Sequence, residues 1–284
     1  FSRVPPYNQH TIVKIPLICY SPRMKGLLIR KAFYDGWDSV LFLLLGNILL
    51  FVVAFGGFAL AHLTAPTFGI FLTILAIAIL LLGVVLLSVS DELARVSTFQ
   101  PFSLKRFFLS MKKYLLLGPL YILIFIFFLV LFPLAVYWYF SLGGLLGTVL
   151  GLIMFWISLI FYLAFQWFLP VKSQLEGNFV KALKKCFIIF FDNPGFSLFM
   201  LLYSLVILVL SMIPFLLLPG ISGILLAQNE AFRLLMRKYD WMEEHPELDF
   251  ATARKNVPWD EVLSEEYDAV DSRSLKGLIF PWRD

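Results

Sequence analysis

Charged residues are scarce in this chain of 284 residues. Only 15% of the residues are Asp, Glu, Lys or Arg, whereas 60% are hydrophobic and 17% are aromatic. Soluble domains carry about 25% charged residues, so this chain has too little polar surface to cover a water-exposed globule. Its apolar residues also occur in long runs, which is typical of membrane helices. The composition therefore predicts an integral membrane protein.

Groups that carry chemistry are equally scarce. The three histidines, His10, His62 and His245, are too far apart in the sequence to suggest one metal or acid–base site. The two cysteines, Cys19 and Cys186, are unclustered and predict neither a metal site nor a structural disulfide. No nucleotide-binding, zinc-protease or serine-hydrolase motif occurs. We therefore expect no catalytic, cofactor-binding or metal-binding residues, and a protein that is not an enzyme.

Ionisable residues are also missing from the interior of the apolar runs. Five runs have the length needed to cross a hydrocarbon core of ~30 Å, and they comprise residues 37–62, 67–89, 114–140, 145–169 and 196–214. Ions and protons usually cross a membrane along polar groups at mid-depth. We therefore expect neither proton-coupled transport nor transport of charged substrates.

A sixth apolar run, residues 215–227, is only about half as long and contains Pro219 and Gly220. We interpret it as a short or broken span that continues as an amphipathic helix to Trp241. A re-entrant or interfacial segment is the alternative.

Four acidic residues lie close to the predicted membrane surface, namely Asp35, Asp38, Asp91 and Glu92. Anchoring at the interface or capping of helices is the favoured role for them. A membrane enzyme is a third hypothesis, and it requires Asp35, Asp38, Asp91 or Glu92 to converge in a pocket on the cytoplasmic side.

Three segments are rich in Lys and Arg, and each precedes an apolar run. In each one, apolar residues recur at i, i+3 and i+4 with cations opposite, which predicts a helix lying in the membrane interface against lipid headgroups. The predicted interface cations are Lys25, Arg30, Lys31, Lys105, Arg106, Lys112, Lys113, Lys181, Lys184 and Lys185. Successive segments start roughly 75–80 residues apart, which suggests three repeats of an interfacial helix plus a helical hairpin. The alternative is that any basic loop shows this pattern.

The turns on the other side of the predicted bundle, at residues 62–66, 141–144 and 214–220, contain no Lys or Arg. By the positive-inside rule the basic segments are cytoplasmic, and six spans place both termini there. We predict an all-α, polytopic membrane helix bundle of about six spans, located in the bacterial inner membrane.

The composition divides the chain into three parts. Residues 1–23 are interpreted as an N-terminal extension, because Met24 resembles a natural start, residues 24–240 as the transmembrane domain, and residues 241–284 as an acidic cytoplasmic tail. From Asp240 onward the chain holds 12 acidic and 5 basic residues, against 7 and 18 before it. Such a tail is expected to fold back onto the basic face, and a solvated, disordered tail is the alternative.

Gly143, Gly147 and Gly151 recur every four residues and form a predicted helix-packing seam. Packing within the chain is the favoured use, and a homodimer contact is the alternative. The expected partners are membrane lipids and other membrane protein subunits. Nucleic acid is not expected, because the basic residues alternate with Phe and Leu beside apolar runs and no nucleic-acid-binding module occurs.

Two stretches resemble the YesL-like family of bacterial membrane proteins of unknown function. The first is FSLKRFF at 102–108, followed by KKY at 112–114. The second is NFVKALKKCF at 178–187, followed by DNP at 192–194. The resemblance covers roughly residues 24–240 and implies a role beside carbohydrate ABC transporters, and it carries over no catalytic residue. The acidic tail lies outside the family's pattern.

Taken with the resemblance, these features predict a non-catalytic accessory or scaffold subunit of a larger membrane assembly, associated with carbohydrate uptake. The alternative is a transporter or lipid-handling protein for a neutral or amphipathic substrate. That alternative predicts a cavity between spans that reaches lipid or one aqueous face, whereas a tightly packed bundle would exclude it.

Overall fold

The computed structural model describes residues 22–175, 177–247, 249 and 257–273. Every regular element in these ranges is helical, and five stretches are long and apolar enough to cross a membrane. They are Val40–Thr64, Phe68–Val96, Leu117–Ser141, Gly144–Gln174 and Pro194–Ser211. The predicted all-α polytopic bundle is therefore confirmed. Most of the predicted N-terminal extension and the end of the tail, 274–284, lie outside the described residues.

The described part of the chain contains thirteen α-helices. In chain order they are α1 Pro22–Asp38, α2 Val40–Phe51, α3 Gly57–Thr64, α4 Phe68–Val96, α5 Leu104–Lys113, α6 Leu117–Ser141, α7 Gly144–Phe165, α8 Phe168–Gln174, α9 Phe179–Asp192, α10 Pro194–Ser211, α11 Gly220–Glu244, α12 Trp259–Val262 and α13 Ser264–Asp271. One π-helical segment, Val52–Gly56, joins α2 to α3, so that the first span is continuous.

The order of elements repeats three times. A basic helix precedes two long helical arms in each unit: α1 precedes α2–α3 and α4, α5 precedes α6 and α7, and α9 precedes α10 and α11. Hydrogen bonds join the three second arms, the second of which continues from α7 into α8. Ser90 Oγ near the end of α4 lies 2.9 Å from Ser173 Oγ in α8 and accepts from Asn229 Nδ2 in the middle of α11 at 3.1 Å. All three basic helices therefore lie at one end of the bundle, which we call the basic end.

Helix α11 is the central element of the bundle. It packs against α1, α2, α4, α8 and α10, and most side chains from Ser222 to Leu235 are buried. Its first two turns combine the small residues Gly220, Ser222 and Gly223 with Ile and Leu, which allows this close packing. Gln228, Asn229 and Glu230 then bring polar groups into the centre.

The sixth apolar run differs from the prediction of a single short segment. The structure divides it into a turn, residues 212–219, and the start of α11 at Gly220. Asn47 holds this turn, because its Nδ2 donates to the carbonyl oxygens of Leu217 and Pro219 at 2.9 and 2.8 Å. Asn47 lies in the second turn of α2, and the first span continues for about 25 Å beyond it. The α10–α11 hairpin thus turns back beside the first third of the first span, which favours the re-entrant alternative.

The predicted glycine seam is used within one hairpin. Gly143 forms the turn between α6 and α7 with φ +67°. A Cβ added to Gly147 would lie 2.7 Å from the Tyr139 carbonyl oxygen, and one added to Gly151 would lie 3.0 Å from the Phe140 ring, so both glycines face α6. The closest helix contact lies elsewhere and was not predicted. It is the crossing of α4 and α6, where a Cβ on Gly83 would overlap the Gly118 carbonyl group.

Candidate functional site

An apolar groove with a volume of about 790 Å³ opens on the side of the bundle. Its floor is α11, and its two walls are α1 with the start of α2 on one side and α10 on the other. Side chains one helical turn apart line each wall. The α1 wall includes Ile29, Phe33 and Trp37, and the α10 wall includes Phe199, Val206 and Leu210. Because about half of the surface of Phe33, Trp37 and Val206 is exposed, the groove is open to the surroundings of the bundle.

A cation lies where the groove meets the basic end. The Lys25 ammonium lies 5.1 Å from the centre of the Phe199 ring, and Phe199 lines the groove in the second turn of α10. The lining is otherwise almost entirely hydrocarbon. An apolar channel with one positive charge at its end matches a molecule that has a hydrocarbon chain and an anionic head.

The opposite face of α1 carries a buried ionic cluster, which we define as Lys31, Asp35 and Glu230. The Lys31 ammonium lies 2.5 Å from Asp35 Oδ2 and 2.8 Å from Glu230 Oε2. Lys31 and Glu230 are 0% exposed and Asp35 is 4% exposed. The prediction that Lys31 faces lipid headgroups is therefore wrong, because two carboxyl groups from the interior of the bundle bind its ammonium.

The protein around the cluster shifts the pKa values of its two acids in opposite directions. Burial on its own would raise the pKa of Asp35, but hydrogen bonding to Glu230 and the charge of Lys31 lower it below its ordinary value, with help from Arg273. Burial raises the pKa of Glu230 well above its ordinary value, because the Lys31 charge offsets only part of the desolvation. The environment thus favours an ionised Asp35 beside a protonated Glu230.

The turn after α4 closes the cluster. Lys31 Nζ donates to the Ser97 carbonyl oxygen at 3.3 Å and lies 4.3 Å from the centre of the Phe99 ring. Arg233 binds the same carbonyl oxygen, and its guanidinium lies 5.0 Å from the same ring centre. Phe99 has φ +59°, which is uncommon for a bulky residue. Two cations therefore hold this turn against α1 and α11.

The four acidic residues singled out in the sequence form two separate sites. Asp35 and Asp38 both bind Arg273, at 2.7 and 3.3 Å. Asp91 accepts from Ser110 and Tyr114 at 2.7 Å each, and Glu92 accepts from the Ser103 amide at 3.3 Å, so both anchor the α5 segment to α4. For Asp91 and Glu92 the contacts join α4 to the α5 segment, and anchoring at the membrane interface stays a prediction.

The other predicted interface cations differ in their contacts. Lys105, Lys112, Lys181 and Lys184 are exposed, and Lys185 is half-buried. Arg106 binds the Pro101 carbonyl oxygen and lies 3.5 Å from Glu92, whereas Lys113 lies 3.4 Å from Asp91. Exposed apolar side chains accompany the cations on these helices, including Phe108 on α5 and Ile188 on α9. The exposed set therefore has the composition of an interfacial surface.

Part of the acidic tail folds back onto the basic end, as predicted. Arg237 Nε lies 3.2 Å from Glu266 Oε1, and Arg233 lies 3.4 Å from the same oxygen. Glu266 is fully buried by this contact. Arg30 lies 2.7 Å from Asp271 at the end of α13. The tail thus contacts both α1 and α11.

Two features were not predicted from the sequence, namely the burial of Glu230 against Lys31 and the apolar groove. A signal for Glu230 exists, because three polar residues, Gln228, Asn229 and Glu230, directly follow an apolar run. For the groove the sequence offers no signal, because its lining has the same composition as a lipid-facing surface. Comparison with protein-family models, with curated proteins and with solved structures finds no match for this chain.

Proposed function

We propose that this chain is a non-catalytic, lipid-handling membrane protein that binds one anionic, chain-bearing lipid from the side. The hydrocarbon chain occupies the groove between α1 and α10, and the headgroup lies beside Lys25. The observation that carries this proposal is the apolar groove itself, about 790 Å³ in volume and open along its side. A lateral opening suits a ligand that arrives through the bilayer rather than through water.

The distribution of cations supports an orientation for the protein. Lys and Arg lie in the connections at the basic end, whereas residues 62–66, 141–144 and 214–220 have none. By the positive-inside rule, the proposed location is the bacterial inner membrane with the basic end and both termini in the cytoplasm. The groove then opens in the cytoplasmic leaflet.

Selectivity in this site would come from fit and charge. A lipid chain gains little from leaving the bilayer, because lipid tails are as apolar as the groove. A cation near the membrane surface contributes about 1 kcal/mol toward an anionic lipid. We therefore expect a preference of roughly fivefold for an anionic headgroup over a zwitterionic one when the chains are identical.

A matched pair of variants on α10 tests the groove. Val206 lines it, whereas Val209 does not and is also exposed. The full chain would be purified in detergent, and its binding of phosphatidylglycerol would be measured by native mass spectrometry. We expect Val206→Trp to abolish binding and Val209→Trp to leave it unchanged. Equal binding by both variants would refute the proposal.

A second pair tests the headgroup site. Lys25→Gln should remove the preference for phosphatidylglycerol over phosphatidylcholine, and Lys112→Gln, an exposed position on α5, should retain it. If Lys25→Gln kept the full preference, the headgroup would lie elsewhere.

An accessory role in a larger membrane assembly linked to carbohydrate uptake is a second proposal, which rests on the resemblance of residues 102–114 and 178–194. Such a subunit could also bind lipid. Purification from native membranes under mild conditions tests it, because a stable partner should co-elute. A strictly monomeric native protein would count against this role.

A further inference from the structure

The ionic cluster contains two buried acids that share one ammonium. Lys31 Nζ lies 2.5 Å from Asp35 Oδ2 and 2.8 Å from Glu230 Oε2, so these two oxygens are at most 5.3 Å apart (2.5 + 2.8). Both carboxyl oxygens of Glu230 are buried, and neither has a hydrogen-bond donor with acceptable geometry among the described residues. Two ionised carboxylates only accept hydrogen bonds. One shared ammonium cannot fully compensate two buried negative charges, so a proton on one of the two acids stabilises the pair.

The charges around the pair lead to the same requirement. The α1 helix contributes Lys31, which lies near both acids, and Arg273 after α13 binds the other oxygen of Asp35 at 2.7 Å. On α11, Arg233 instead faces the Ser97 carbonyl oxygen and Glu266, and the turn after α4 supplies only that carbonyl oxygen and the Phe99 ring. Asp35 therefore has two cationic partners, whereas Glu230 only shares Lys31.

We propose that Asp35 and Glu230 bind one proton between them, carried by Glu230, and that this proton holds α1 in place as a wall of the groove. The protonated Glu230 donates to Asp35, and Asp35 stays ionised between Lys31 and Arg273. The cluster is then a proton-binding site at the basic end, formed by α1 and α11 together.

The link to the groove follows from the two faces of α1. Lys31 and Asp35 point into the bundle, whereas Phe33 and Trp37 on the other face line the groove. Loss of the proton would leave two buried carboxylates adjacent, and their repulsion is relieved when α1 moves away from α11. The width of the groove would change with that movement. This second step rests on the proposed function, and the coupling must be reciprocal, so that lipid binding changes proton affinity.

Infrared spectroscopy tests the proton directly and needs no lipid ligand. Purified full chain at neutral pH should show the carbonyl band of a buried, protonated carboxylic acid. Glu230→Gln should remove that band, whereas Glu265→Gln, at a position 74% exposed, should retain it. Asp35→Asn should also remove it, because Glu230 then ionises as the counter-ion of Lys31. A wild-type spectrum without the band, or a band that survives Glu230→Gln, would overturn the proposal.

Lipid binding as a function of pH tests the coupling. The dissociation constant for phosphatidylglycerol should change at least fivefold across the pH range in which the infrared band disappears, and it should be independent of pH in Glu230→Gln. A wild-type constant that does not follow the band would overturn the coupling. If the proposed function is wrong, wild type and Val206→Trp should both fail to bind phosphatidylglycerol at every pH. The infrared band would still report on the proton, so failure of the proposed function can be told apart from failure of the coupling.

Discussion

Substitution of Lys31 tests the view that the basic end is held together by a buried charge. In Lys31→Met the side chain keeps an unbranched apolar stem, with sulfur in place of Cδ, and loses the ammonium at its tip. The ammonium is completely buried, 2.5 Å from Asp35 and 2.8 Å from Glu230. Removing one partner of a buried ion pair costs about 3–5 kcal/mol, because the other charge stays buried without compensation. We expect a loss in that range, toward its lower end because Arg273 still binds Asp35.

A double substitution separates charge from packing. If the loss in Lys31→Met comes from the uncompensated Asp35 carboxylate, Lys31→Met with Asp35→Asn should be more stable than Lys31→Met alone. Coupled neighbours typically show interaction energies of about 0.5–3 kcal/mol. Lys112→Met, on the exposed face of α5, is the control and should change stability by less than about 0.5 kcal/mol.

The measurement is the free energy of unfolding of the full chain, obtained by titrating mild detergent with a denaturing one and following tryptophan fluorescence. Reversibility would be checked by dilution back into the mild detergent. A Lys31→Met variant within about 1 kcal/mol of wild type would refute the reasoning. So would a double variant no more stable than the single one, because packing rather than charge would then explain the loss.

Three further outcomes are expected. Gly83→Ala should destabilise the bundle by about 1–3 kcal/mol in the same assay, because its Cβ would overlap the carbonyl group of the facing helix, whereas Gly69→Ala, with open space around it, should be nearly neutral. Because burial raises the pKa of Glu230 in the folded state, stability should fall by up to about 1.4 kcal/mol per pH unit as pH rises above the ordinary pKa of a glutamic acid toward the raised one; the fall should be absent in Glu230→Gln. Glu266→Ala should expose the tail to limited proteolysis, because Glu266 is buried against two arginines, and Glu265→Ala at an exposed position should not.

The spans and the basic helices could be predicted because each depends on local sequence. A run of about 20 apolar residues has few alternatives to a membrane helix, and the spacing of Leu104, Phe107 and Phe108 beside Lys105 and Arg106 fixes an amphipathic face. The structure agrees with both expectations at the level of whole elements.

The burial of Lys31 could not be predicted, because it depends on a contact with Glu230 in a helix near the other end of the sequence. Helical spacing after Met24, Leu27 and Leu28 places Lys31 on their face of α1, but nothing in α1 identifies the acid on α11 that binds it. The neighbouring Arg30 pairs with the exposed Asp271 instead. The groove could not be predicted from the sequence for a related reason. Phe33 and Val206 are apolar whether they face lipid, a ligand or another helix, and only the spacing between α1 and α10 decides which.

The turn held by Asn47 makes the helices on one side of the bundle extend less far from the basic end than those on the other, which gives a short side and a tall side. A hydrogen bond places Ser90 of α4 and Asn229 of α11 at the same level. From that level toward the end opposite the basic end, α4 extends for about 33 Å, whereas α11 extends for only about 14 Å. A bilayer of uniform thickness cannot match both sides. On the short side the lipid chains must therefore tilt or shorten, and the membrane becomes thinner locally. That flank is the one on which α10 borders the groove. The protein would therefore thin the membrane locally beyond this turn, on the side away from the basic end, and occupancy of the groove should depend on the acyl chain length of the surrounding membrane.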